Sequence, residues 1–433
     1  MKKVITYGTF DLLHYGHIRL LERAKALGDW LIVGVTSEDF DKARGKINVQ
    51  KTLSERMEAI KALGIADEII VEEYEGQKID DIRRYNVDVF AIGSDWLGKF
   101  DYLSAYCEVV YLDRTEGVSS SSIRSMEKLR LGLVGTSSNV DKVKREAGFV
   151  NGLVISGHCA DEGGYEQLLQ DSDAVYIYAR PEKHVELIKK ALEEGKHVLC
   201  ETPLALKKAD CEALTAFAGQ QGLILMEALK TAFSTAYRRL ILLLKSGKIG
   251  DIVSVEASCT SLQELSGLSK EALLSHWNSI TDWGPTGLLP VFQLLGTEYT
   301  GKLVHSRMHP SDEHFDLFSR IDLEYPGAVA SVKVGKGVKT EGELIVSGTD
   351  GYAYVPAPWW KTDFFEIRHE HADDNQRYFY QLEGEGIRNM LAVFFQAAVH
   401  GVRYQTIEEN VTKGIVTVLE DYYEEKDLRI LKS

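Results

Sequence analysis

Short apolar segments alternate with helical patterns up to about Gly250, and this alternation begins twice. The first series opens with the strand-like run Val4–Tyr7, followed by helical spacing over His17–Leu27 and by a second apolar run, Trp30–Val35. The second series opens with Leu131–Val134. Short strands that alternate with helices form parallel sheets with right-handed crossovers. The sequence therefore predicts two successive Rossmann-like α/β domains.

The pattern changes after this point. Strand-like segments such as Leu317–Glu324 and Ala328–Val334 are joined mostly by short turns, and helices return only at Gly386–His400 and Ile407–Glu425. Closely spaced strands favour an antiparallel sheet with one exposed face. We therefore expect an α/β protein whose last part is an α+β domain with an open, mostly antiparallel sheet. The predicted domains are residues 1–127, residues 128–249 and residues 250–433.

Composition narrows the possible partners and the compartment. The 433 residues carry a net charge of -15, which argues against non-specific binding of nucleic acid, because that needs a positive surface. We find no charged-then-apolar leader and no long apolar run, so we expect neither secretion nor a membrane span. Five scattered cysteines without a CxxC pair indicate reduced thiols and no structural zinc. A cytoplasmic protein is expected.

The first strand is followed by the segment GTFDLLHYGH, which covers residues 8–17. Its glycines allow backbone amides to approach a phosphate, and the helix that follows directs its positive end to the same place. His14 and His17 lie three residues apart and so share one face of that helix. This arrangement favours phosphate binding. The alternatives are a metal pair, for which no third ligand is evident, and plain surface histidines.

Two further loops follow predicted strands of the first series. GSDWLGKF covers residues 93–100, and RTEGVSSSSIR covers residues 114–124. Open α/β sheets place ligand loops at the carboxyl ends of their strands. The alternatives are a flexible linker for the serine run and a solvated surface charge for Arg114. Three such loops in one series favour a common ligand site.

The three segments closely resemble the signatures of the cytidylyltransferase branch of the nucleotidyltransferase superfamily, in particular its glycerol-3-phosphate cytidylyltransferase family. The resemblance covers roughly residues 1–127. Ser94 and Val118 are modest departures from the family pattern. The resemblance implies a reaction in which CTP, with Mg²⁺, transfers its cytidylyl group to a small polyol phosphate, with glycerol 3-phosphate as the first guess. Such products are used in teichoic-acid-like or capsular polymers.

The resemblance also implies roles for individual residues. His14 and His17 would contact the CTP phosphates and stabilise the transition state, and Asp11 would help with phosphate or magnesium geometry. Lys46 and Arg114 complete the expected catalytic set. The expected substrate-binding residues are Thr9, Phe10, Asp11, Gly16, Arg56, Asp95, Trp96, Thr115 and Ser119. No residue is predicted to ligate a resident metal or to bind a further cofactor.

From residue 131 to the end, the chain resembles the Gfo/Idh/MocA family of NAD(P)-dependent sugar oxidoreductases. The segment Gly195–Ala205 is similar to the family's GKHVLCEKPLA, but Thr202 replaces its catalytic lysine. Ser137 and Val140 replace two glycines of the dinucleotide fingerprint, and Thr286 replaces a catalytic aromatic or imidazole side chain. The segment after Gly157 is also shorter than in the family.

These losses favour a non-catalytic region kept for assembly, with NAD(P) binding unlikely. It is expected to form a homodimer or a higher homo-oligomer through the C-terminal sheet. The alternative is a bifunctional enzyme whose second region reduces a ketose phosphate with NAD(P)H and so supplies the polyol phosphate. A different class, a scaffold or regulatory protein that binds CTP without turnover, also remains. His369 and His371 would share one strand face, where ordinary strand histidines are more frequent than a metal site.

Overall fold

The structure is a computed structural model. It describes residues 1–43, 49, 51–74, 76–113, 128–265, 267–380, 382, 384–401 and 406–432. The chain divides into two compact units, Met1–Lys128 and Leu129–Ser433. Each unit is described by itself below. The three-domain division predicted from the sequence stays a prediction.

The first unit contains a five-stranded parallel sheet with the strand order β3-β2-β1-β4-β5. Its strands are β1 (Lys3–Gly8), β2 (Trp30–Thr36), β3 (Glu68–Glu72), β4 (Val89–Gly93) and β5 (Glu108–Leu112). Its helices are α1 (Tyr15–Lys25), α2 (Glu38–Ala43), α3 (Leu53–Leu63) and α4 (Gln77–Tyr85). Alternate residues of β1 contribute to two separate cores, Val4 to one and Ile5 to the other, because successive side chains of a strand point to opposite faces.

Helix α3 shows how local sequence fixes an element of this unit. The Thr52 side chain accepts a hydrogen bond from Glu55 N, and the Glu55 side chain accepts one from Thr52 N, which forms a complete capping box. Gly64 ends the helix in a left-handed conformation with φ 66°. The helix therefore begins and ends at sequence-encoded signals.

The second unit begins with another five-stranded parallel sheet, ordered β10-β9-β8-β6-β7. Its strands are β6 (Leu129–Val134), β7 (Leu153–Cys159), β8 (Ala174–Ile177), β9 (His197–Cys200) and β10 (Leu225–Glu227). The accompanying helices are α5 (Ser138–Ala147), α6 (Tyr165–Asp171), α7 (Pro181–Glu193), α8 (Lys208–Gln220) and α9 (Thr235–Lys245). The strand order reverses between β6 and β8, which is where open α/β sheets form a ligand crevice.

The rest of the second unit is built on a nine-stranded sheet, ordered β18-β17-β16-β15-β11-β14-β13-β12-β19. The pairs β11–β14 and β12–β19 are parallel, and the other pairs are antiparallel. The strands are β11 (Ile252–Thr260), β12 (Gly301–His309), β13 (Asp312–Tyr325), β14 (Ala328–Gly335), β15 (Leu344–Gly348), β16 (Tyr352–Val355), β17 (Phe364–Arg368), β18 (Gln376–Phe379) and β19 (Leu428–Ile430). The helices are α10 (Lys270–Leu273), α11 (Ser279–Leu295), α12 (Ile387–His400) and α13 (Glu409–Tyr423).

Helix α11 covers one face of this sheet and was not expected from the sequence. It contains Pro285 and Pro290, both buried. Gly287 lets it approach β14 closely, since a Cβ there would lie 2.4 Å from Val332 Cγ1. The close packing compensates for the backbone hydrogen bonds that the two prolines remove.

The predicted fold class is confirmed: two Rossmann-like parallel sheets are followed by a mostly antiparallel open sheet. One local expectation is wrong. Strand β17 ends at Arg368, so His369 and His371 lie outside it and do not share a strand face. His369 Nδ1 lies 2.7 Å from the Asp350 carbonyl oxygen. Within the described ranges, no group of three or more His, Cys, Asp or Glu side chains could hold a metal ion.

Candidate functional site

The loop after β1 has an unusual backbone. Phe10 and Leu12 both have positive φ, 52° and 48°, although neither is a glycine. Such residues cost conformational free energy, so the surrounding contacts must stabilise the loop. Phe10 is buried, and the buried Asp11 accepts a hydrogen bond through Oδ1 from Lys51 N at 3.0 Å. The loop is therefore stabilised by the burial of Phe10 and by the hydrogen bond from the segment that precedes α3.

His14 and His17 meet at the start of α1. Their rings stack with centroids 3.8 Å apart and an interplanar angle of 18°. His14 is the N-cap of the helix, and its Nδ1 accepts a hydrogen bond from Gly16 N at 3.1 Å. A neutral histidine whose Nδ1 accepts a hydrogen bond carries its proton on Nε2. Nε2 of His14 is thereby a hydrogen-bond donor at the positive end of a helix.

Arg56 lies behind this loop rather than on an open surface. It is 1% exposed, and its Nη1 donates to the carbonyl oxygens of Thr9, at 2.7 Å, and Thr36, at 2.8 Å. The same Nη1 lies 3.6 Å from Asp41 Oδ2, and Thr9 Oγ1 donates to Asp41 Oδ1 at 2.7 Å. Arg56 thus ties the ends of β1 and β2 together, and its predicted contact with substrate stays a prediction.

The loop after β4 lies beside the loop after β1, because β1 and β4 are neighbours. Ser94–Trp96 form a short 3₁₀ turn in which Asp95 is exposed and Trp96 is half-buried. The Trp96 ring packs against Phe100, with centroids 5.7 Å apart, and Lys99 Nζ lies 5.0 Å from the Trp96 ring centroid. The strand order reverses between β1 and β4, so this crevice is the expected ligand position of the sheet.

Sequence analysis did not single out a polar cluster at the same edge. Lys78 on α4 pairs with Glu72 at the end of β3, and its Nζ lies 4.7 Å from the Tyr7 ring centroid. Tyr7 donates to Asp81 Oδ2 at 2.8 Å, and burial together with the Asp81 charge raises the pKa of this tyrosine. The sequence signal that was available is Glu72, a carboxylate at the carboxyl end of the apolar strand β3.

The structure brings together seven of the predicted residues at the loops after β1 and β4 or directly behind them: Thr9, Phe10, Asp11, His14, Gly16, His17 and Arg56. Asp95 and Trp96 lie on the loop after β4. Lys46, Arg114, Thr115 and Ser119 lie outside the described residues.

The second unit has a cavity of about 850 Å³ at the crevice between β6 and β8. A volume of this size lies within the usual range for small-molecule and cofactor sites. Residues that follow three strands line it, together with residues of the nine-stranded sheet region: Gly135, Thr136, Ala160, Asp161, Tyr178, Arg180, Trp277, Asp282 and Lys336 are among them. The described part of this region therefore keeps a ligand-sized space where a Rossmann-like sheet binds dinucleotides.

The glycine turn at this cavity is retained in part. Gly135 has φ 96°, and a Cβ there would lie 1.8 Å from the Tyr178 carbonyl oxygen. Ser137, however, caps α5 by accepting from Asn139 N and Val140 N at 3.2 and 3.3 Å. These hydrogen bonds lie at the long end of the usual range for N–H···O contacts. The turn and the cavity fit a dinucleotide, and Ser137 occupies some of the amides that its pyrophosphate would use.

Comparison with known proteins assigns both units. A family model described as cytidylyltransferase-like matches residues 5–126. Glycerol-3-phosphate cytidylyltransferase of Bacillus subtilis (strain 168) is 51% identical over 124 residues, which cover 29% of this chain and 95% of the relative. The Staphylococcus aureus (strain NCTC 8325 / PS 47) protein of that name is 47% identical over 124 residues, covering 29% of this chain and 93% of the relative. This chain belongs to the cytidylyltransferase-like family. The predicted enzyme class, a cytidylyltransferase, is confirmed.

The second unit resembles the Gfo/Idh/MocA oxidoreductase family. A model described as oxidoreductase family, NAD-binding Rossmann fold, matches residues 130–229. Trans-1,2-dihydrobenzene-1,2-diol dehydrogenase of Bos taurus is 29% identical over 223 residues, 49% of this chain and 63% of the relative. A 3-ketoreductase from Actinomadura kijaniata, solved with NADP and TDP-benzene, shares the fold at 20% identity and a TM-score of 0.60, covering 70% of this chain and 99% of that chain.

Both predicted resemblances are thus confirmed, whereas the roles of individual site residues stay predictions. Among the described residues, no helix is long and apolar enough to span a membrane.

Proposed function

We propose that the first unit transfers the cytidylyl group of CTP to the phosphate of a small polyol phosphate, giving a CDP-polyol and pyrophosphate. The observation that carries this proposal is the stacked His14–His17 pair at the start of α1. The pair lies beside the loop after β1, in which Phe10 and Leu12 have positive φ and whose sequence resembles the family signature. Glycerol 3-phosphate is the first acceptor to test, because the relatives that are about half identical to this unit bear its name.

The chemistry needs positioning more than a strong base. An oxygen of the acceptor phosphate attacks the α-phosphorus of CTP, a new P–O bond forms, and the bond to the pyrophosphate oxygen breaks. The acceptor is already anionic at neutral pH. His14, through Nε2–H, and His17 stabilise the charge that builds up on the phosphates, and Lys46 and Arg114 are assigned to the departing pyrophosphate. Asp11 would help with phosphate or magnesium geometry.

The direct test measures pyrophosphate release by the full chain. CTP is combined with glycerol 3-phosphate, with polyol phosphates of four to six carbons and with phosphocholine, and ATP replaces CTP in parallel reactions. We expect release that requires CTP and a polyol phosphate. No release with any acceptor would refute the transferase proposal. Release with ATP but not with CTP would show that the nucleotide substrate is ATP.

A second candidate function concerns the second unit. We propose that it binds NAD(P)H and reduces a ketone of a small phosphorylated sugar, which replaces the expectation that this region is only structural. The cavity of about 850 Å³ beside Gly135 carries this proposal. Asp161 lines it after β7, where Rossmann-like folds place the acid that binds the ribose. The dinucleotide would supply a hydride, and the chain would bind the substrate and deliver the proton.

Titration of the full chain with NADH and with NADPH, followed by the fluorescence of the reduced nicotinamide, tests this second candidate. Saturable binding in the micromolar range is expected. If neither dinucleotide binds, the reductase proposal is wrong. The expectation of a role in assembly, which rests in part on Thr202 in place of the catalytic lysine, would then be favoured.

A further inference from the structure

Thr202 occupies the position of the family's catalytic lysine, and in this chain its side chain stabilises a buried carboxyl group. Thr202 Oγ1 donates to Glu227 Oε1 at 2.6 Å, and Thr412 Oγ1 donates to Glu227 Oε2 at 2.9 Å. Glu227 is 4% exposed, so these two hydroxyls satisfy a buried carboxyl group. A threonine hydroxyl is also too weak an acid to protonate a carbonyl oxygen at neutral pH. A reductase built on this unit needs another proton donor.

Lys336 supplies an ammonium group at the cavity between β6 and β8. It follows β14, is 5% exposed, and lines the cavity. Its Nζ lies 2.7 Å from Asp282 Oδ2 and donates to the Trp277 carbonyl oxygen at 2.8 Å. An ammonium group has three protons. The described residues accept two of them, which leaves one N–H for a ligand.

The charge of Asp282 also acts on a residue beside Thr202. Burial raises the pKa of Glu201 to about 7, and the charge of Asp282 adds to this rise against the opposing effects of Tyr176 and Lys230. Glu201 precedes Thr202 directly. Tyr178, on the neighbouring strand end, also lies within the electrostatic reach of Asp282. The Lys336–Asp282 pair therefore lines the same cavity as Tyr178, at the carboxyl end of β8.

We propose that Lys336 is the proton donor for carbonyl reduction in the second unit, replacing the lysine whose position Thr202 occupies. This inference rests on the second candidate function. When bound, the nicotinamide dinucleotide would supply the hydride that the carbonyl carbon takes up. As the C=O π bond breaks, the carbonyl oxygen takes a proton from Lys336 Nζ, and a secondary alcohol forms. Asp282 keeps its negative charge, orients the ammonium group, and Lys336 regains its proton from water.

The test compares Lys336→Ala with a matched control, Lys339→Ala, in the full chain. Lys339 is exposed and lies three residues further along the same loop. The probes are NADPH and dihydroxyacetone phosphate. We expect Lys336→Ala to lower kcat by roughly a hundredfold or more while the Kd for NADPH, measured by fluorescence, changes by less than about twofold. Added methylamine should recover part of the lost rate. The control should match the wild type in both measurements.

The outcomes separate the two proposals. If the wild type neither binds NADPH nor reduces the probe, both proposals fall. If the wild type is active and Lys336→Ala keeps a similar kcat, only the assignment of Lys336 is wrong. If methylamine does not rescue the slow variant, and Lys336→Arg is equally slow with a lower melting temperature than the wild type, Lys336 has a structural role. Unchanged melting and cofactor binding, with amine rescue, would establish the proton donor.

Discussion

At the scale of single residues, the first unit uses one histidine for two purposes. His14 caps α1 through Nδ1, and in the proposed reaction its Nε2–H would contact a phosphate of CTP. The helix cap fixes the tautomer, and the tautomer provides the donor, so the local backbone prepares the chemistry. His17 stacks against this ring and against the edge of Phe10, whose centroid lies 5.5 Å away.

The two purposes can be separated by His14→Asn. Asparagine is a favourable N-cap, so we expect the melting temperature to change little, whereas the Nε2 donor is lost. The rate of CTP-dependent pyrophosphate release should fall by about a hundredfold or more. His14→Ala should lose both the rate and about 1 kcal/mol of stability. Near-normal turnover in His14→Asn would remove His14 from the catalytic set.

Arg56 gives a prediction about stability. Its removal would leave Asp41 as a buried carboxylate close to unsatisfied carbonyl groups, so we expect Arg56→Ala to destabilise the first unit by about 3–5 kcal/mol. The matched control is Arg19→Ala, because Arg19 forms a surface pair with Glu22 and is 40% exposed. That change should cost less than about 1 kcal/mol. Thermal unfolding measures both, and equal effects would contradict the buried role of Arg56.

Asp316 makes the second unit sensitive to pH. It is fully buried, and burial raises its pKa from 3.8 to about 6, against the hydrogen bonds from Ser319 Oγ and Ile280 N. Between these values the folded state holds the proton and the unfolded state does not. The contribution of Asp316 to stability is therefore fully present below about pH 3.8 and is lost as the pH rises to about 6. The full loss is about 3 kcal/mol. Asp316→Asn should lack this fall, as paired melting curves from pH 4 to 7 would reveal; parallel curves would refute it.

At the scale of elements, the turn after β6 requires a glycine at position 135, both because its φ is positive and because a side chain there would have no space. We expect Gly135→Ala to abolish binding of NADPH and to lower the melting temperature, because the new Cβ would collide with the Tyr178 carbonyl oxygen. Gly195→Ala is the control. Gly195 also has a positive φ, 71°, but nothing lies within 4 Å of its Cβ position, so only a conformational cost of about 1 kcal/mol is expected. Similar losses in both variants would contradict the steric account.

Elements with regular signals were predictable, and α11 was not. The strands of both parallel sheets are short apolar runs, and α3 carries a capping box and a terminal glycine. Helix α11 contains two prolines and two glycines, which local propensity assigns to a loop. It forms because its apolar residues cover the nine-stranded sheet. Tertiary packing outweighs propensity there, and no local pattern carries that information.

At the scale of the whole molecule, each unit has its own hydrophobic cores. The two cores of the first unit contain only residues up to Leu112, and the glycerol-3-phosphate cytidylyltransferase of Bacillus subtilis (strain 168) aligns with this unit over 95% of its length. We therefore expect residues 1–128 to fold alone and to keep CTP-dependent pyrophosphate release within about threefold of the full chain. Circular dichroism and the release assay test this. An unfolded fragment would contradict the independence of the unit. Assembly through the C-terminal sheet stays a prediction, which sedimentation of the full chain measures.

The sequence by itself determined the fold class, both family resemblances and the cluster at the first site. His14, His17 and Asp11 lie within seven residues of each other, so local helix and loop geometry brings them together. Only the tertiary structure decided the role of Arg56 and the cavity of the second unit. Lys336, Asp282 and Tyr178 are far apart along the chain, and they meet because a strand end, a helix start and the Rossmann-like sheet line one cavity. Motifs record neighbours in sequence, whereas side chains from distant segments that line one cavity are recognised together only once the chain is folded.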